Sequence, residues 1–304
     1  SCNIPCYNPV DIIDGIMDWL NSIDADGNEM KEEVEVRVCV LPNMIPWYRG
    51  FKGTITEDET KTKRYITKGI IEETKDGVEV SELPINMWTN KFKEFCEDLL
   101  DEKKLKSMKN YSSPSEVKFN LSNGTDFECS IESLKLHSYL YTSNMVLFDE
   151  KNRINKYDSV YEILNRFCVV RYKYYRLRKE YQLRQLGIEL KMLQNKERFI
   201  TEVMDETLDI MRKKESVIIQ SLKDRNYDED LKRENGGYEY LLGMQVRSFT
   251  EEKVATLRAE IQSITDKINN LQNTTVKQLW INDLNEFRAK YDEWLVIMSQ
   301  VKVE

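Results

Sequence analysis

The chain has 304 residues, 40% of them hydrophobic and 32% charged, with a formal net charge of -8. That length supports about two domains with their own cores; the apolar share excludes a disordered chain, and no apolar run reaches the roughly 20 residues of a membrane span. The acidic balance excludes a surface that is basic throughout, so any contact with nucleic acid has to be local.

Residues 11 to 20 place Ile12, Ile13, Ile16, Met17 and Leu20 at helical spacing, and Asp26-Gly27-Asn28 ends the pattern. From about 34 to 83 the texture turns to short alternating runs, Val34-Glu35-Val36-Arg37-Val38-Cys39-Val40 and Val78-Glu79-Val80, punctuated by glycines, which predicts mostly strand. Pro84 breaks the chain, and a helix is expected over about 86 to 101 with Trp88, Phe92, Phe95, Cys96 and Leu99 on one face. Further strand is expected at 116 to 121 and around 139 to 148.

Near Asp158 the helical period returns and persists to about Met211, interrupted only by Gly187. Its apolar seam reads Phe167, Val170, Tyr174, Leu177, Tyr181, then after a slip Leu183, Leu186, Leu190, Leu193. A second seam, Val254, Leu257, Ile261, Ile264, Ile268, Leu271, follows Thr250-Glu251-Glu252, an N-cap with an acidic first turn. A helix going out and a helix coming back make a stiff arm, roughly 55 Å and 35 Å long on its two sides. Short helices and the loop Arg233-Glu234-Asn235-Gly236-Gly237 lie between them. After Asn273-Thr274-Thr275 a last helix directs Leu279, Leu284, Phe287, Tyr291, Leu295 and Met298 toward the body. The fold class expected is α+β: a strand-rich domain, then a long antiparallel coiled-coil arm with a small helical tip.

Catalytic signatures are sparse. Asp24-Ala25-Asp26 has the paired carboxylates of a magnesium site but lacks a third in frame, and reads as a solvated turn. Arg64-Tyr65-Ile66 has the form of an activated tyrosine nucleophile, yet its neighbours read as a two-faced strand. His137, the single histidine, has no nucleophile or carboxylate motif beside it, and no phosphate loop or dinucleotide fingerprint occurs. The six cysteines are spread through the chain, so a zinc site is excluded and they read as free thiols of a reducing, intracellular compartment. Catalytic, cofactor-binding and metal residues are accordingly expected to be none in this chain.

Two basic stretches remain. Arg171-Tyr172-Lys173-Tyr174-Tyr175-Arg176-Leu177-Arg178-Lys179 has the composition of a nucleic-acid channel lining, but the expected seam takes Tyr174 and Leu177 and leaves the ordinary surface of a coiled coil. Arg49, Lys52, Lys61, Lys63, Arg64 and Lys68 sit in glycine-punctuated strand and loop, where a backbone can approach phosphate closely; DNA contact and a plain solvated surface both fit.

The stretch Pro46-Trp47-Tyr48-Arg49-Gly50-Phe51-Lys52-Gly53-Thr54-Ile55 resembles a segment of type IIA DNA topoisomerases of the eukaryotic and large-DNA-virus kind. Ser1-Cys2-Asn3-Ile4-Pro5, Ser81-Glu82-Leu83-Pro84, Thr142-Ser143-Asn144-Met145-Val146-Leu147-Phe148, Asn195-Lys196 with Arg198-Phe199-Ile200, and Tyr240-Leu241-Leu242-Gly243-Met244 follow the same family in order. The resemblance implies a piece of a longer enzyme that passes one duplex through a transient break in another. Its ATPase domain, magnesium-binding acidic cluster and catalytic tyrosine would lie upstream, with ATP and Mg2+ used by the whole enzyme and none held here. It implies a tower (shoulder) domain at 1-157, an outgoing coiled-coil helix at 158-194, an exit gate (C-gate) at 195-249, a returning helix at 250-275 and a terminal helix at 276-304. The implied partners are double-stranded DNA and a second copy meeting at the gate, with Tyr227, Tyr238, Leu241 and Met244 as contact candidates by position, and no membrane. The implied location is the nucleus of a eukaryotic cell, or the host cytoplasm or nucleus for a virus. The competing class is a non-enzymatic coiled-coil interaction protein.

Overall fold

The computed structural model describes residues 2-22, 44-233 and 236-300. The strand expected at 34-40, the Asp24-Ala25-Asp26 turn, Cys39, and Glu234 and Asn235 lie outside the described residues. The chain divides into two compact units, Ser1–Val170 with Ile281–Glu304, and Arg171–Trp280.

The first unit begins with α1 (Pro9–Ser22). The Asn8 carboxamide accepts from the Val10 N–H at 3.0 Å, and Pro9, with no N–H to leave unsatisfied, takes the first helical position. The helix buries Ile13, Ile16, Trp19 and Leu20, and the Trp19 indole donates to Asn165 Oδ1 at 2.8 Å. Then come β1 (Thr54–Glu57), β2 (Arg64–Lys68), β3 (Ile70–Thr74), β4 (Gly77–Glu82), α2 (Thr89–Asp101), β5 (Leu105–Asn110), β6 (Phe119–Asn123), β7 (His137–Tyr141), β8 (Met145–Phe148) and β9 (Ile154–Tyr157). All pairings are antiparallel: one sheet has the order β1-β2-β7, a second β3-β4-β6-β5, and β8-β9 form a hairpin. The single strand expected around 139-148 is therefore two strands in different sheets.

Gly69 alone separates β2 from β3, so the chain changes sheets within one residue. Its N–H donates to the Leu136 carbonyl at 2.9 Å, and a Cβ there would collide with the Glu82 carbonyl, which is why this position is glycine. The core of the unit lies where α2 covers the second sheet: Phe92, Cys96 and Leu99 meet Val78, Val80, Phe119 and Leu121. Phe92 and Phe119 meet edge to face at 5.1 Å, and burying a ring of this size stabilises by about 3 kcal/mol. Trp88 departs from its expected place on this face. It stands at the N-cap position, before the helical phase begins, and is 73% exposed.

The second unit contains most of α3 (Val160–Met204), then α4 (Glu215–Asp224), α5 (Glu239–Leu242), a 3-10 turn at Val246–Ser248, α6 (Glu251–Asn273) and the start of α7 (Val276–Gln300). α3 is continuous across Gly187 and ends at Met204, short of Met211, where Glu206 adopts a left-handed φ of 57°. Thr250 caps α6, its side chain accepting from the Lys253 N–H at 3.3 Å. α3 and α6 are antiparallel. Lys179 Nζ donates to the carbonyls of Gln272 (3.0 Å) and Thr274 (2.7 Å), whereas Arg258 meets Glu197 at 2.8 Å, so numbers rise on one helix as they fall on the other.

The seam of α6 holds, with Val254, Leu257 and Ile264 buried. The early half of the α3 seam does not. Tyr174, Leu177 and Tyr181 are exposed, whereas Tyr175 is buried and stacks on Trp280 at 5.3 Å with an interplanar angle of 16°. The helix carries two apolar stripes, and the packed one is rotated from the stripe with the cleaner heptad. α7 departs in the same way: Phe287 and Met298 are exposed rather than turned to the body.

Candidate nucleic-acid interface

The register of the first sheet decides which basic residues share a surface. Arg64 pairs with Tyr141, Ile66 with Tyr139 and Lys68 with His137, while Thr56 and Thr54 oppose Ile66 and Lys68 from β1. Directly opposed residues point to the same side of an antiparallel pair. One face therefore presents Arg64, Lys68, His137, Tyr139 and Tyr141. The reverse face presents Thr67 and Leu140, both buried, and Ser138, whose hydroxyl meets that of Thr67 at 2.8 Å.

Along β7 the rings of His137, Tyr139 and Tyr141 follow one another at 5.9 and 6.5 Å. Lys61, from the turn between β1 and β2, lies 5.9 Å from the Tyr141 ring, and Arg64 lies 4.4 Å from the Tyr139 ring. Arg64 is not a free cation: its guanidinium bonds the buried Asp58 carboxylate and, at 3.2 Å, the Thr60 hydroxyl. The hydroxyl and backbone N–H of Thr60, with Arg64, hold the Asp58 carboxyl below the usual carboxylate range against the opposing effect of burial. Arg64 thus braces the turn, and Lys61 and Lys68 are the mobile charges of the face.

The other three candidates lie elsewhere. Lys63, at a left-handed φ of 59°, pairs with Asp158 at 3.1 Å beside a cleft of about 350 Å³ lined by Tyr7, Tyr65 and Tyr161. Arg49 stacks over Trp294 of α7 at 4.8 Å. Lys52 is exposed, and its backbone N–H donates to Glu82 at 3.1 Å. The six residues are one cluster in sequence and three separate settings in space.

The two-faced strand reading of Arg64-Tyr65-Ile66 is borne out, because these residues open β2 and neighbours on a strand point to opposite faces. Burial, then the Glu57 carboxylate, pushes the Tyr65 phenol up, and burial does the same to Tyr7, so neither is poised as a phenolate. Among the described residues no three His, Cys, Asp or Glu side chains are grouped to hold a metal ion, and no helix is long and apolar enough to cross a membrane. Cys96 and Cys129 are buried, which pushes their thiols up to about 12 and about 11, and Cys2 and Cys6 are exposed; all are free.

Between α3 and α6 the chain forms a cluster of its own. Phe199, Leu208, Leu222, Tyr227, Tyr238 and Leu241 are buried together, with Met244 partly buried against them. The Tyr238 hydroxyl donates to the Tyr227 carbonyl at 3.0 Å. Arg198 and Arg225 clamp Glu202 at 2.7 and 2.9 Å. Burial alone would raise the Glu202 carboxyl, but the hydrogen bond and charge of Arg198 and the charge of Arg225 bring it below its ordinary value. Tyr227, Tyr238 and Leu241, named from chain position as contact candidates, hold this cluster together from inside and offer a second molecule almost no area. The apolar groups exposed in the same stretch are Met211 (74%), Val217 (48%), Leu231 (43%) and Val246 (87%). Sequence reasoning passed over these because a lone apolar residue in a turn carries no period.

Comparison with known proteins gives one consistent outcome. The DNA gyrase/topoisomerase IV family matches residues 1–285. DNA topoisomerase 2 of Invertebrate iridescent virus 6 is 38% identical over 291 residues, covering 94% of this chain and 24% of that protein. DNA topoisomerase 2 of Penicillium chrysogenum is 33% identical over 334 residues, covering 96% and 20%. The crystal structure of the Plasmodium falciparum topoisomerase II DNA-binding, cleavage and re-ligation domain superposes with a TM-score of 0.82 at 29% identity, covering 99% of this chain and 43% of that one. The chain thus spans between a fifth and a quarter of the length of these two curated relatives.

Proposed function

We propose a function from one premise: the chain belongs to the DNA gyrase/topoisomerase IV family. It is the DNA-handling and exit-gate portion of an ATP-dependent type II topoisomerase, which passes one duplex through a transient break in another. Residues 1-157 grip the bent duplex as the tower domain, 158-194 and 250-275 form the coiled-coil arm, 195-249 form the gate, and 276-304 close the portion. What carries this reading is the continuity of the likeness along the chain, in sequence and in fold.

The exposed lysines and tyrosines of the first sheet suit the grip. Lysines are point charges for phosphate, tyrosine hydroxyls donate to phosphate oxygens, and such contacts hold a duplex without reading its sequence. The cluster at 195-249 suits the gate, since it is a small core with exposed apolar groups around it, and an interface of modest apolar area can both close and reopen. Two copies related by a twofold axis would meet there through the same patch on each. The bond-breaking chemistry, with its ATP and Mg2+, belongs to other parts of the enzyme, inside a reducing cell compartment.

Duplex binding across a salt series tests the grip, and incubation with supercoiled plasmid tests the division of labour. The chain should bind weakly and lose affinity steeply with salt, and Lys61→Ala with Lys68→Ala should flatten the slope of log K against log[salt] by about 2. The plasmid should stay supercoiled. An unchanged slope discards the sheet face as a contact, and relaxation by the chain alone overturns the placement of the chemistry.

A further inference from the structure

The early part of α3 presents a surface that its coiled-coil role does not use. Within the second unit the packed side of this helix is marked by Tyr175 against Trp280 and by Lys179 on the carbonyls that end α6. At 100° per residue, Tyr174, Leu177 and Tyr181 fall together on a different side, and they are 60%, 43% and 56% exposed. Arg171, Lys173 and Arg184 flank this stripe and are themselves exposed. Among the described residues these three cations make no ion pair. Arg184 leans on the Tyr181 ring at 5.5 Å and Arg171 on the Tyr175 ring at 5.2 Å. From Arg171 to Lys191 the helix has seven Lys or Arg against Glu180 and Glu189, on a chain whose net charge is -8.

A local excess of cation on an acidic protein, set around an exposed row of tyrosines, calls for an anionic partner of extended shape. A second copy of the same helix is disfavoured, because an isologous contact would bring these cations against their own equivalents. We propose that this face of α3 is a second, sequence-independent contact for double-stranded DNA, separate from the first sheet. The proposal rests on the topoisomerase reading above and deepens it, since it gives the arm a contact of its own with a duplex. Arg171 and Arg184 lie 13 residues apart, about 20 Å along the helix, a reach of about six phosphates of one strand at 3.4 Å each. The three flanking cations neutralise up to three phosphates, while the phenols of Tyr174 and Tyr181 donate to phosphate oxygens between them. A contact of so few charges holds a duplex briefly and lets it go.

The test is fluorescence anisotropy of the intact chain with a short labelled duplex over a salt series. Arg171→Ala, Lys173→Ala and Arg184→Ala together should reduce the slope of log K against log[salt] by about 2 to 3, with helicity by circular dichroism unchanged because alanine favours an exposed helix. The same three positions changed to glutamine keep the side-chain stems and should give the same loss, which separates charge from packing. If both variants keep the original slope while Lys61→Ala with Lys68→Ala lowers it, the α3 proposal is overturned and the grip by the first sheet stands. If none of the variants changes the slope, or the intact chain fails to bind duplex at low salt, both fall. A change in sedimentation without a change in duplex binding makes the face a protein interface and overturns the proposal.

Discussion

Lys179→Met isolates the contact that fixes one end of the α3-α6 pair. Lys179 is partly buried, and its ammonium donates to two carbonyls, those of Gln272 at 3.0 Å and Thr274 at 2.7 Å, where α6 runs out of its own donors. A buried hydrogen bond to a charged group contributes about 1.5 to 3 kcal/mol. Partial exposure of this lysine reduces the total, so the pair of bonds is worth about 2 kcal/mol. Methionine keeps the length and much of the apolar stem, so the loss reports the ammonium rather than the packing. Hydrogen exchange followed by mass spectrometry should then show the last two turns of α6 opening about 30-fold more often. Lys173→Met, on an exposed part of the same helix, should leave that segment within about twofold of the original. Equal exchange in Lys179→Met and the unsubstituted chain, or an equal effect of the two substitutions, refutes this register of the two helices.

Phe199→Ala removes a ring that is 1% exposed and meets Tyr227 and Phe249 at 6.4 and 6.1 Å; it should cost about 3 to 5 kcal/mol, visible as loss of exchange protection across 199-249 with the sheets of the first unit unaffected. Because Arg198 and Arg225 keep Glu202 below its ordinary value, its contribution is complete above the unfolded-state pKa of about 4.3 and disappears as pH falls through the lower folded-state value. Glu202→Gln should therefore make denaturant midpoints less dependent on pH over that acid window, and an identical pH dependence would show that the clamp does not act this way. A maleimide at neutral pH should label Cys2 and Cys6 quickly and Cys96 and Cys129 only after unfolding, read by mass spectrometry; rapid labelling of Cys96 would contradict its burial.

What could be read from sequence follows the range over which each signal acts. α6 was legible because its one apolar stripe serves one partner helix, so period and phase coincide. α3 has two stripes, and periodicity gives a spacing without saying which stripe is packed; Tyr175 won over Tyr174 because Trp280, more than a hundred residues later, supplies the ring it stacks on. β5, with the sequence Leu-Lys-Ser-Met-Lys-Asn, lacks β-branched residues and is held by its pairing with β6, so local propensity gave no sign of it. The alternation around Arg64 was readable, but the tyrosines that share its face come from β7, and only the register of β2 with β7 brings them there. The buried tyrosines of the 195-249 cluster were chosen by position along the chain, and position does not distinguish a residue that builds a core from one that borders it.

The most direct measurement is sedimentation of the intact chain at micromolar concentration beside a variant carrying Met211→Glu and Val246→Glu. Both positions are largely exposed, at 74% and 87%, so the carboxylates should leave the fold of one chain intact while making apolar contact between two chains unfavourable. The account predicts a dimer that the variant converts to a monomer, with circular dichroism the same for both. An intact chain that sediments only as a monomer would contradict the gate.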